Sequence, residues 1–159
     1  MKSVLYSKLL SKLGRRLPIR STMLAALASM CFVTASKAQN LTEVRVEFDL
    51  PHGDDRDHDT RTAIRIMKGD IILAAEDNVA PGMHLSDPGH YGPFNIPVRV
   101  PISKGEYYGS KTVVEDFPNG NDTWITHVII IARFSNGEEL RTVSDLITFH
   151  NRDRKEFPN

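Results

Sequence analysis

From Leu41 to Leu50 the chain alternates in a way that permits one local structure. Val44, Val46, Phe48 and Leu50 fall on one side of an extended backbone, and Glu43, Arg45, Glu47 and Asp49 on the other. Successive side chains of a strand point to opposite faces, so this is a strand with one face buried and one in water. The same period returns at Thr62, Ile64 and Ile66 in residues 60–68, which a Lys68-Gly69-Asp70 turn separates from a third strand over 71–75. Residues 94–102 alternate through Phe94, Ile96, Val98, Val100 and Ile102. Pro97 and Pro101 lie on the other face there and cannot donate to a ladder, which predicts an edge strand. Residues 111–117 give a short strand. Residues 123–134, rich in β-branched side chains, give the central one. Ser135-Asn136-Gly137 predicts a hairpin, and 139–149 returns. Residues 151–159 read as a polar tail, and no segment reads as a helix. Short strands at this spacing predict an all-β fold, an antiparallel β-sandwich of two sheets with about seven or eight strands.

The first 38 residues carry a different signal. Lys2, Lys8, Lys12, Arg15, Arg16 and Arg20 precede an apolar run over 23–35, and Ser36-Lys37-Ala38 supplies small residues at the first and third positions. A basic region, a short apolar region and a small-x-small site make a secretory signal, with cleavage expected after Ala38. The run is shorter than the roughly 20 apolar residues of a membrane-spanning helix. Met30 is too bulky to precede a lipidated Cys31. An acid-free, arginine-rich leader also fits an organelle transit peptide. Arg15-Arg16 resembles a twin-arginine export signal, which Pro18 fits badly. The expected location is therefore secreted or periplasmic, with no membrane span after signal removal.

Charge must be counted without that leader. Seven of the 20 Lys and Arg precede residue 39 and none of the 20 Asp and Glu does, so 13 basic side chains face 20 acidic ones, a net −7. That balance excludes nucleic acid as a default partner and suits a cation. Cys31 is the single cysteine, so the part after the leader has no disulfide and depends on its core.

The acids are unevenly placed. Gly53-Asp54-Asp55-Arg56-Asp57-His58-Asp59 puts four carboxylates within six residues. If each strand reverses the last, the first, third and fifth connections (51–59, 76–93 and 117–122) lie at one end of the sandwich. They bring together Asp54, Asp55, Asp57, Asp59, Asp77, Asn78, Asp87, Asn119, Asn121 and Asp122. Calcium takes about six to eight oxygens, which converging loops can supply. Asp54, Asp55, Asp57, Asp59, Asn121 and Asp122 are the candidate metal ligands, with calcium as the candidate cofactor. A plain solvated loop end accounts for the same residues, since Asp and Asn are common in turns. Asp55, Asp57 and Asp59 match the first ligands of an EF-hand, but Thr60 replaces its glycine and Ile66 its bidentate glutamate.

Gly53 to Thr60, Gly92-Pro93-Phe94, Pro118-Asn119-Gly120-Asn121-Asp122-Thr123-Trp124 and Phe134-Ser135-Asn136-Gly137 together resemble an uncharacterised family of bacterial secreted β-sandwich proteins. The first of these is also similar to the acidic loop of PLAT/lipoxygenase-homology domains and related calcium-binding sandwiches. The resemblance implies a sandwich with calcium at the loop end, and it implies no established activity.

Other chemistry is thinly marked. His52, His58, His84 and His90 fall at the same expected end, without the spacing of a helical zinc motif, and read either as exposed loop histidines or as a zinc or other transition-metal site; His127 reads as a strand-surface residue. No nucleophile elbow, phosphate-cradling loop or dinucleotide motif occurs. Trp124 reads as core. Tyr91, Tyr107 and Tyr108 are the aromatic side chains that could stack on a sugar ring. The expectation is a non-enzymatic binding module for a protein or carbohydrate ligand. The alternatives are a carbohydrate-binding module using exposed tyrosines and a small hydrolase.

Overall fold

The computed structural model of the chain describes residues 39–52, 56, 58–85, 87–118 and 123–159. The strands are β1 (Leu41–Leu50), β2 (Arg61–Lys68), β3 (Ile71–Val79), β4 (Gly89–Ile96), β5 (Lys111–Phe117), β6 (Thr123–Phe134), β7 (Glu139–Val143), β8 (Ile147–His150) and β9 (Arg154–Pro158). One sheet runs β4-β1-β6-β7, with β8 also on β6; the other runs β3-β2-β5-β9. Neighbours pair antiparallel throughout. The chain is thus an all-β sandwich of two sheets.

The inner faces meet through one buried cluster drawn from both sheets. Val44, Val46, Phe48 and Leu50 of β1 join Ile64 and Ile66 of β2, Val114 of β5, and Val128, Ile130 and Phe134 of β6 in one buried cluster. Trp124 is fully buried, stacked on Phe149 at 5.0 Å between centroids and edge-on to Phe48 at 5.3 Å. Burying such a ring beside its neighbours is worth several kcal/mol, and the ring pairs add about 0.5–1.5 kcal/mol each. Residues 39–159, which hold no cysteine, therefore depend on this core.

Four expectations change. The return expected as one strand over 139–149 is two, β7 and β8, both on β6 and separated by residues 144–146. The strand expected over 94–102 is shifted: β4 starts at Gly89 and ends at Ile96. After it Pro97 leaves β1, and the chain crosses to the edge of β3, where Ala75 N donates to Pro97 O (3.1 Å) and Arg99 N to Leu73 O (2.7 Å). The apolar alternation of 94–102 thus serves two sheets in turn. The residues expected to form a polar tail instead carry β9, which pairs with β5 from Glu115↔Arg154 to Lys111↔Pro158. A single helical turn, α1 (Lys104–Tyr107), stands where none was expected. Its capping box has Ser103 Oγ accepting from Glu106 N, while the Glu106 carboxylate accepts from Ser103 N.

β4 also carries a bulge. Glu47 alone on β1 faces Gly92 and Pro93, between the pairs Val46↔Phe94 and Phe48↔Tyr91. Gly92 has φ +116°, and a Cβ there would lie 2.9 Å from the carbonyl oxygen of Val46. Only glycine satisfies both conditions.

Candidate functional site

The strand registers decide where the connections go. Leu50 pairs with Gly89 and Asp49 with His127 in one sheet; Arg61 pairs with Phe117 and Thr62 with Val79 in the other. The first, third and fifth connections therefore share one end of the sandwich, as strand reversal predicts. The β8–β9 connection joins them, because Thr123 pairs with His150 and Asp116 N donates to Asp153 O at 2.9 Å. That fourth member is the one that sequence alone did not supply. Lys155 donates to the Asp153 carboxylate and holds it below the usual carboxylate range.

At the centre of this end is Arg56, the one arginine among the acids of the first connection. It is 1% exposed. Its Nη1 donates to the carbonyl of Met83 (2.8 Å), its Nη2 to those of Thr60 (3.0 Å) and Val79 (3.3 Å), and its Nε to Thr62 Oγ1 (3.2 Å). Thr62 Oγ1 in turn donates to Asp116 Oδ1 at 2.9 Å. A hydroxyl thus links a buried guanidinium to a buried carboxylate, and both Thr62 and Asp116 are fully buried. The guanidinium also lies 5.7 Å from the centroid of Trp124. Burying a cation is costly unless its donors find acceptors, and here the fork geometry of arginine matches backbone carbonyls from two connections. Arg56 is consequently fastened to the core by its own side chain.

The clamp brackets two histidines. Leu85 N donates to Arg56 O (3.3 Å) while Met83 O accepts from the guanidinium, so His84 sits between two tethered residues. His58 sits likewise between Arg56 and Thr60, whose carbonyl accepts from Nη2. The two exposed imidazoles meet with centroids 5.0 Å apart, tilted by 38°. His52 is exposed at the same end. His90 turns to the outer face of β4, with Nε2 3.2 Å from Glu47 Oε2. His127 Nδ1 donates to Ser144 O at 3.1 Å on the flank of β6, the strand-surface position expected for it.

Of the candidate metal ligands, Asp59 is described and exposed. Asp54, Asp55, Asp57, Asn121 and Asp122 lie outside the described residues, as do Asn119 and the expected signal segment 1–38. Among the described residues no group of three or more His, Cys, Asp or Glu side chains is placed to hold a metal. Two oxygen sources expected in the third connection are in β3 instead. Asp77 there pairs with Arg65 at 2.9 Å, and Asn78 N donates to Glu76 Oε1 at 3.2 Å. Asp87 is exposed, and its backbone carbonyl accepts from the Tyr91 hydroxyl at 2.9 Å.

One of the three candidate stacking tyrosines is buried. Tyr107, expected to be exposed beside Tyr108, is 1% exposed and packs edge-on to Phe134 at 5.8 Å. Consecutive residues in a helical turn point about 100° apart, so α1 sends Tyr107 inward and leaves Tyr108 out, at 56% exposure. Burial pushes the Tyr107 phenol well above its ordinary range. Trp124 is core, as expected.

A groove of about 840 Å³ lies at the opposite end of the first sheet, lined by Glu43, Arg45, Asn95, Arg133 and Ser135 among others. Its charges are already paired: Arg45 with Glu139 at 2.6 Å and Arg133 with Glu43 at 3.8 Å. Ser135 Oγ accepts from Asn40 N at 3.2 Å. No family model, curated protein or solved structure matches the chain. Among the described residues no helix is long and apolar enough to cross a membrane.

Proposed function

We propose that this chain is a secreted or periplasmic binding module without catalytic activity, whose acidic loop end is stabilised by calcium. Asp54, Asp55, Asp57 and Asp59 of the first connection and Asn121 and Asp122 of the fifth are the proposed ligands. The observation that supports this reading is that the first, third and fifth connections share one end of the sandwich. Two of them are further joined by the buried Arg56 side chain. Four carboxylates within six residues of sequence repel one another, and a divalent ion relieves that repulsion. The basic leader supports export, and the net −7 of the remaining chain suits a cationic ligand. The module's further partner is a protein or a carbohydrate.

Thermal unfolding in millimolar calcium and in chelator tests this. An ion that binds only the folded state raises the midpoint, by an amount that grows with its concentration over its dissociation constant. A higher midpoint in calcium is expected; coincident melting curves refute the reading.

A further inference from the structure

We propose that His58 and His84 form a second, nitrogen-based site at this end, one that takes a transition metal such as zinc. It does not rest on the calcium reading, because its donors are imidazoles and not carboxylates. Imidazole suits zinc, copper and nickel, whereas calcium takes oxygen. Two imidazoles on one tetrahedral ion, with metal–nitrogen bonds of about 2.0–2.1 Å, hold their ring centroids about 5 Å apart. The observed separation is 5.0 Å. The rings come from different connections, and both are exposed, so an ion can reach them.

Their approach is built from below. Met83 and Leu85, on either side of His84, are both hydrogen-bonded to Arg56, and Arg56 and Thr60, on either side of His58, are bonded to each other. Two loops tethered at the residues flanking each imidazole lose little freedom when an ion joins them, which favours binding. Both rings are exposed, so water can fill the remaining positions of a four-coordinate ion. Aromatic rings also rest against one another at this distance with no ion between them. The experiment separates the two accounts.

Zinc chloride is titrated calorimetrically into the full chain and into His58→Ala, His84→Ala and His90→Ala, with the metal-free melting midpoint of each recorded. One zinc per chain is expected, with affinity at least about tenfold lower in His58→Ala and in His84→Ala, since losing even an outer-shell partner costs that much. His90→Ala, whose ring faces Glu47, and millimolar calcium should leave zinc affinity unchanged. In the unaltered protein, nickel(II) should broaden the ring proton signals of His58 and His84 before those of His90, His127 and His150. That measurement holds even if a variant misfolds. Absence of saturable zinc binding, unchanged affinity in either of the first two variants, an equal loss in His90→Ala, or broadening without preference overturns the proposal. Failure of calcium to raise the melting midpoint bears on the carboxylate reading alone.

Discussion

The Nη1 of Arg56 donates to the carbonyl oxygen of Met83 at 2.8 Å, and this contact joins the first and third connections of the sandwich. Through Thr62, the same guanidinium reaches Asp116 in the second sheet. A single side chain therefore links the first connection, the third connection and Asp116 of β5.

Replacing that side chain should be severe. Arg56→Met removes a buried cation and strands the carbonyls of Met83, Thr60 and Val79 along with the Asp116 relay. A loss of about 3–5 kcal/mol is expected, the range for breaking one partner of a buried charged network. Arg56→Lys should recover little, because a single ammonium cannot replace a planar fork. Denaturant midpoints at constant slope measure both. A loss below about 1 kcal/mol in the methionine variant would show that the anchor is not needed.

Tyr107 makes the opposite prediction. Its buried hydroxyl has no hydrogen-bond partner among the described residues. Tyr107→Phe should leave stability unchanged or raise it at neutral pH, since it removes an unsatisfied polar atom without changing shape. The pH dependence has a definite sign. Burial raises the folded-state pKa, so the neutral phenol is favoured on folding. That contribution is complete below the unfolded value of about 10 and is lost as pH rises past it. Wild-type stability should fall in alkaline solution, and less steeply in the phenylalanine variant. Parallel curves for the two proteins would rule out a buried phenol at this position.

Glycines at positive φ should differ in cost according to what lies behind them. Gly69 has φ +58°, and a Cβ added there would meet nothing within 4 Å, so Gly69→Ala encounters only backbone strain, about 1–2 kcal/mol. Gly92→Ala meets that strain and the Val46 carbonyl oxygen at 2.9 Å, an atom of the ladder that cannot swing away. The second variant should melt well below the first. Equal midpoints would mean that the β4 bulge is looser than its register indicates.

The strands were legible where period-two patterning reports burial directly: Val44, Val46, Phe48 and Leu50, and Ile64 and Ile66, are buried where the alternation puts them. The shared loop end was legible too, since antiparallel reversal follows from strand count. β9 was not, because Arg154-Lys155-Glu156-Phe157-Pro158 buries little beyond part of Phe157 and reads as polar. The turn α1 left a signal, the Ser103-x-x-Glu106 capping box, but one turn has no period to recognise. Arg56 was hidden by its neighbours. Among four carboxylates an arginine reads as a counter-charge in water, and composition does not reveal that its acceptors are carbonyls of Thr60, Val79 and Met83, two of them far along the chain.

Whether the carboxylates of the first connection bind an ion is decided by calorimetric titration of calcium. The titration is run on the protein and on a variant carrying Asp54→Asn, Asp55→Asn and Asp57→Asn. Saturable binding is expected in the parent, weakened by more than about tenfold in the variant, because affinity in oxygen sites follows ligand charge. No saturable heat at millimolar calcium, or equal affinity in the two proteins, would overturn the calcium site.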